Sequence, residues 1–153
     1  HEVIRIIRKY QPDIVLANAV SDRHPDHGRA AELAFQSCFY SGLSRVETFD
    51  NKEAQKPWRP IALYHYIQSQ YLVPDFIVDV SEHWLTKMDA VKAYKSQFYD
   101  PSSKEPETYI SSEGFMKMID ARGIELGHAI GARYGEGFNV QRSIGVNSLT
   151  DLL

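Results

Sequence analysis

The sequence has little cysteine and no long hydrophobic run. Its 153 residues include one cysteine, Cys38, which rules out an intrachain disulfide framework and favours a reducing compartment. No window approaches the roughly 18 consecutive apolar residues of a membrane helix, and no basic leader followed by an apolar segment opens the chain. We therefore expect a soluble, cytoplasmic protein.

The sequence also has no large excess of positive or negative charge. The formal net charge is -3, and the 17 lysines and arginines are scattered along the chain, which argues against a nucleic-acid or membrane partner. No G-x-G-x-x-G motif follows the first apolar run, which counts against a dinucleotide site. A small polar substrate or a protein partner is favoured.

Helical and strand-like segments are present and predict an α/β fold. With 43% hydrophobic residues the chain can bury a core, and we expect a single domain over residues 1–153. Residues 1–10 carry a helical apolar stripe with no cap before them, which predicts a chain that begins inside a helix. The apolar run at residues 14–20 predicts a strand buried on both faces, and a helix follows from Pro25 to about Gly42.

The later segments are predicted from propensity and capping residues. Residues 44–60 are expected to form a surface loop, and residues 62–67 and 75–80 to form strands. Ser81 is expected to cap a helix over residues 82–99, and Ser111 or Ser112 to cap a second that ends near Gly127. No geometry is predicted beyond residue 130.

A polar cluster follows the first predicted strand. If a helix opens just after His24, that imidazole and His27 can face one crevice above the strand end, with Asp26 between them. Imidazole is a common zinc ligand, and a nearby carboxylate can tune it. The alternative is that both histidines cap the helix and pair with Asp22 or Asp26 on the surface. Spacing alone leaves both interpretations open.

The stretch Asp-Arg-His-Pro-Asp-His at residues 22–27 resembles the second signature of the LmbE-like, or PIG-L, family of zinc-dependent N-acetylglucosaminyl deacetylases. Segments at residues 93–98, 130–138 and 149–153 resemble the bacillithiol-biosynthesis branch, so the resemblance spans essentially the whole chain. It implies a Rossmann-like three-layer α/β sandwich with a mostly parallel sheet, truncated at its amino end, and a homo-oligomer.

The resemblance also implies residue roles. His27 corresponds to a zinc ligand, and His24 to the imidazole that polarises the amide oxygen or protonates the leaving amine. Asp26 corresponds to the carboxylate that tunes His24, and Arg23 to a substrate-binding residue of the pocket. The implied activity is hydrolytic deacetylation of an N-acetylglucosaminyl conjugate, most specifically N-acetylglucosaminyl-malate, by a metal-activated water.

The sequence departs from the family pattern in two places. Nothing in it matches the first signature, A-H-x-D-D, which supplies the other zinc ligands and the general base, and Phe115 stands where some relatives carry tyrosine. We therefore expect the activity in a full-length form and not in the 153-residue chain alone. The alternatives are another sugar-amide deacetylase of the family, or a non-catalytic assembly or interaction subunit. His65, between two tyrosines of a predicted strand, is expected to be a core histidine.

Overall fold

The computed structural model describes residues 1–152, and their contacts divide them into two units. The first contains residues His1–Asp75 together with the residues from Phe138 onward, and the second is Phe76–Gly137. No helix within residues 1–152 has the length and apolar character needed to cross a bilayer. The tail segment noted above ends at Leu153, which lies outside the described residues.

The first unit holds helices α1 (Glu2–Tyr10) and α2 (Pro25–Ser41), strands β1 (Ile14–Ala17), β2 (Phe49–Asp50), β3 (Glu53–Ala54) and β4 (Ala62–Tyr66), the end of strand β6 (Gly135–Val140), and a 3-10 turn, Leu149–Leu152. Strand β4 pairs in parallel with β1, from Ile14 opposite Ala62 to Ala17 opposite His65. It pairs on its other side with β6 in the antiparallel sense. The α/β class is confirmed, but the sheet is mixed, and the prediction of a mostly parallel sheet is only partly met.

Strand β1 is shorter than predicted and is covered on one face only. Ile14 and Leu16 are 53% and 59% exposed, whereas Ala17 is 6% exposed. The prediction of burial on both faces is therefore wrong within the described residues. A continuous apolar run permits burial on both faces, but which faces are covered depends on distant parts of the chain.

Helix α2 begins as the sequence predicts, because Pro25 occupies its first turn and His24 is the N-cap. The expected surface loop that follows contains a hairpin of β2 and β3. Its two connecting residues, Asn51 and Lys52, have φ of 50° and 71°, the left-handed values that a tight two-residue hairpin turn requires. The composition of residues 44–60 hid this hairpin because only one of the two turn residues is a typical turn former.

The second unit holds β5 (Phe76–Asp79), a 3-10 turn (Ser81–His83), α3 (Trp84–Lys92), α4 (Glu113–Ala129) and the start of β6. The Ser112 hydroxyl accepts the Phe115 N–H at 3.1 Å, so the predicted cap of α4 is confirmed. The prediction for Ser81 is wrong, because its hydroxyl instead accepts the Tyr134 N–H at 3.0 Å. Helix α3 also ends at Lys92, well before the predicted end.

Candidate functional site

The candidate site lies on the segments that follow β1 and β4. Since these strands are parallel neighbours, their carboxyl ends meet at one edge of the sheet. That edge carries residues 18–27 from the first segment and residues 67–70 from the second. The structure brings His24 and His27 together here, with ring centroids 5.4 Å apart and a tilt of 34°.

His24 contacts the start of α2. Its Nδ1 accepts the backbone N–H of Asp26 at 3.3 Å, while 52% of the His24 side chain stays exposed. The Asp26 carboxylate lies 3.9 Å from the same Nδ1 and pairs with Arg29 at 3.1 Å. Asp26 therefore reaches His24 by hydrogen bond through its backbone, and its carboxylate is turned toward solvent.

His27 is bonded to a carboxylate that the sequence analysis named only as a possible surface partner. His27 Nδ1 lies 2.5 Å from Oδ2 of Asp22, whose side chain has no exposed surface. The other carboxylate oxygen accepts the Gln70 N–H at 2.5 Å. Burial acts to raise the pKa of Asp22, but the hydrogen bonds from Gln70 and His27 outweigh it and hold the pKa below its ordinary value.

Gln68 completes the surroundings of His27, and the sequence analysis missed it. Its Oε1 accepts the Ala19 N–H at 3.1 Å and the side-chain amide of Asn18 at 3.2 Å. Its Nε2 lies 3.4 Å from Nε2 of His27. The available signal was its position two residues after the end of β4, the strand that pairs in parallel with the strand before His27.

The residues of this cluster can supply one ligand to a metal ion. Within residues 1–152 no three His, Cys, Asp or Glu side chains are grouped to hold a metal. His27 nevertheless has the form of a ligand, since its Nδ1 is bonded to a buried carboxylate and its Nε2 faces a neutral amide, that of Gln68, at 3.4 Å. Arg23 lies beside His24 in sequence and is exposed.

His65 is the core histidine that the sequence predicts. It has no exposed surface, and its Nδ1 bonds the carbonyl of Asn18 at 2.7 Å. Its Nε2 lies 3.3 Å from the side-chain amide of Gln141. Both ring nitrogens are therefore occupied by protein groups.

Known proteins share this arrangement of elements and part of the sequence. No protein-family model matches the chain. A diacetylchitobiose deacetylase from Thermococcus kodakarensis is 27% identical over 139 residues, covering 89% of this chain and 48% of that enzyme. The chain is similar to a sugar-amide deacetylase. It spans about half the length of this curated relative.

Solved structures similar to this chain also include a sugar-amide deacetylase. An N,N'-diacetylchitobiose deacetylase from Pyrococcus horikoshii matches with a TM-score of 0.70 and 28% identity, over 99% of this chain and 55% of that one. The conserved protein TT1542 from Thermus thermophilus matches with a TM-score of 0.78 and 25% identity, over 95% and 60%. A 4-carboxy-2-hydroxymuconate hydratase from Pseudomonas putida has a TM-score of 0.70 over 97% and 60%, but 18% identity, so it shares the fold alone.

These comparisons support the resemblance to deacetylases in its coarse form. The bacillithiol branch stays a prediction, as do the roles given to His24, Asp26, His27 and Arg23.

Proposed function

We propose that this chain supplies the His24 and His27 side of a sugar-amide deacetylase acting on an N-acetylglucosaminyl conjugate. The observation that carries the proposal is His27 backed by the buried Asp22 and 5.4 Å from the ring of His24, at the carboxyl end of β1. Sequence similarity to a diacetylchitobiose deacetylase over 89% of the chain supports the reaction class.

In this proposal His27 holds a zinc ion through Nε2, with further ligands from residues other than those of this cluster. The bound ion would supply a water of lowered pKa and positive charge beside the amide oxygen. His24 would donate a proton to the leaving amine or a hydrogen bond to the amide oxygen, because its ring stays half exposed beside His27. Asp26 would tune His24, and Arg23 would bind the substrate.

The substrate assignment is the finer part of the proposal. We propose N-acetylglucosaminyl-malate, whose two carboxylates would pair with a guanidinium such as that of Arg23. Diacetylchitobiose carries no such carboxylates, so it is the comparison substrate. The wild type should release acetate from the malate conjugate. Arg23→Gln should abolish this release and leave the hydrolysis of diacetylchitobiose little changed. Preference for diacetylchitobiose would favour another sugar-amide deacetylase.

The roles of the two histidines are tested in the natural gene product that contains this chain, with the 153-residue chain assayed beside it. His27→Ala should lose bound zinc together with acetate release. His24→Ala should keep zinc and lose about 10²–10⁴-fold in kcat, the usual contribution of a proton donor. Zinc is measured by atomic emission after dialysis. Equal loss of zinc in both variants would contradict this division of roles.

The exposed side chains of β1 favour a second candidate, an assembly subunit that pairs with another copy of itself. Ile14 and Leu16 present an apolar surface on a strand at the end of the described sheet. Light scattering of the wild type and of the double variant Ile14→Thr, Leu16→Thr tests it. Assembly without zinc binding or acetate release would favour this candidate over the enzyme.

A further inference from the structure

The Nδ1 atoms of the two imidazoles have opposite kinds of hydrogen-bond partner, a donor for His24 and an acceptor for His27. Nδ1 of His24 faces the Asp26 N–H, a group that can only donate. Nδ1 of His27 faces Oδ2 of the Asp22 carboxylate, an acceptor group whose other oxygen already accepts the Gln70 N–H. A neutral imidazole carries one proton, so His24 must hold it on Nε2 and His27 on Nδ1.

Gln68 gives independent evidence for which nitrogen of the His27 ring carries the proton. Its carbonyl oxygen is fixed by two donors, the Ala19 N–H and the Asn18 amide, so the orientation of the carboxamide is determined. The opposite end, its NH2 group, therefore faces Nε2 of His27 at 3.4 Å. A donor at this position is compatible with a lone pair on Nε2 and not with a second N–H.

We propose that Asp22 and Gln68 are positioning residues that hold His27 in its Nδ1–H form, while the cap of α2 holds His24 in its Nε2–H form. His27 then carries a lone pair on Nε2, which the Gln68 amide faces, and His24 carries a proton donor on its own Nε2. The lone pair of His27 suits a divalent cation, and the N–H of His24 suits a carbonyl oxygen or an amine. The use of the two forms rests on the proposed deacetylase function, whereas the forms themselves do not.

Nitrogen NMR identifies the tautomer of each imidazole, Nδ1–H or Nε2–H, directly. The ¹⁵N shifts of the imidazoles are recorded on the metal-free 153-residue chain, with the pH raised until the doubly protonated imidazolium pattern has disappeared. Signals are assigned by their loss in His24→Gln and His27→Gln. We expect a protonated-type Nδ1 and a lone-pair-type Nε2 in His27, and the reverse in His24. The same form in both rings would overturn the proposal.

Asp22→Asn tests the cause. The asparagine has one oxygen, which the Gln70 N–H claims, so its NH2 should face Nδ1 of His27 and move the proton to Nε2. The matched control is Asp79→Asn, a carboxylate at the last residue of β5 that also accepts a backbone N–H, from Ser81 at 2.9 Å, and has no histidine bonded to it. The His27 pattern should reverse in Asp22→Asn alone. An unchanged pattern in Asp22→Asn would overturn the role of Asp22.

Zinc affinity of the natural gene product gives a second readout. Asp22→Asn should weaken it by about 10–100-fold, the usual effect of losing the carboxylate behind a ligating histidine, and Asp79→Asn should leave it unchanged. An affinity that Asp22→Asn does not change would count against the positioning role. Failure of acetate release with the expected ¹⁵N pattern would overturn the deacetylase function and leave the two forms standing.

Discussion

Arg8 is a buried guanidinium whose partners are mostly backbone carbonyls. It is 4% exposed and donates to the carbonyls of Ser41, Leu43 and Val46 at 2.9, 2.8 and 2.6 Å, and to the Thr48 hydroxyl at 2.8 Å. Its own helix, α1, is thereby fixed to the segment that leaves α2. No sequence pattern indicates this role, because an arginine near the end of a helix usually reads as a solvated charge that complements the helix dipole.

Replacement of Arg8 should therefore cost far more than replacement of its neighbour Lys9. Arg8→Met keeps the aliphatic length but removes four hydrogen bonds, of which the Ser41 and Leu43 carbonyls alone keep a backbone N–H donor, and should lower the free energy of unfolding by about 3 kcal/mol. Lys9 is 40% exposed and pairs with Asp50 at 3.1 Å. Lys9→Met should cost about 0–1 kcal/mol, as for a surface ion pair. Urea titrations measure both, and equal losses would contradict the role of Arg8.

At the scale of elements, α4 has a close contact that only glycine permits. A Cβ on Gly123 would stand 2.2 Å from the indole of Trp84, the buried residue that begins α3. That indole stacks on Tyr134 with centroids 4.4 Å apart and donates to Asp120 at 2.8 Å. Because Tyr134 and Asp120 hold the Trp84 indole in this position, it has little room to move away from an added methyl group.

Gly123→Ala should destabilise the protein although alanine is the better helix former. Helix propensity favours alanine by about 1 kcal/mol, whereas overpacking a filled site costs about 1–3 kcal/mol. Gly114→Ala is the matched control in the same helix, since its Cβ would approach nothing closer than the Ser112 hydroxyl at 3.8 Å. Thermal unfolding should show a lower Tm for the first variant only. A raised Tm in Gly123→Ala would mean that the indole yields.

Elements with local signals could be predicted from the sequence, and those that depend on distant pairing could not. Helix α4 follows from its periodicity and the Ser112 cap, and α2 from Pro25 after a polar cluster. The antiparallel strand β6 was missed because glycines and polar residues make up most of it, and only pairing with its neighbours in the sheet makes it a strand. The early end of α3 was missed because its apolar spacing continues beyond Lys92.

At the scale of the whole molecule, the site was half predictable for the same reason. His24 and His27 lie three residues apart in one motif, so a local pattern could place them at one helix end. Gln68 reaches His27 only because β4 pairs in parallel with β1, whose paired residues lie 48 positions earlier in the sequence. Asp22 was visible in the sequence, but its burial was not.

His65 connects this scaffold to the site. Its ring bonds the carbonyl of Asn18, whose side-chain amide in turn bonds Gln68, the residue that faces His27. His65→Phe should remove both ring hydrogen bonds, leave the Asn18 carbonyl without its donor, and lower the free energy of unfolding by about 2–4 kcal/mol.

The control is His128→Phe, an exposed position at the end of α4, which should stay within about 0.5 kcal/mol of the wild type. Urea unfolding gives the stabilities, and the ¹⁵N signals of His27 report the site. Because the Asn18 carbonyl and amide belong to one residue, a shift of that residue should carry Gln68 with it and change the His27 signals in His65→Phe alone. Loss of stability with unchanged His27 signals would show that the segment after β1 holds its position without His65.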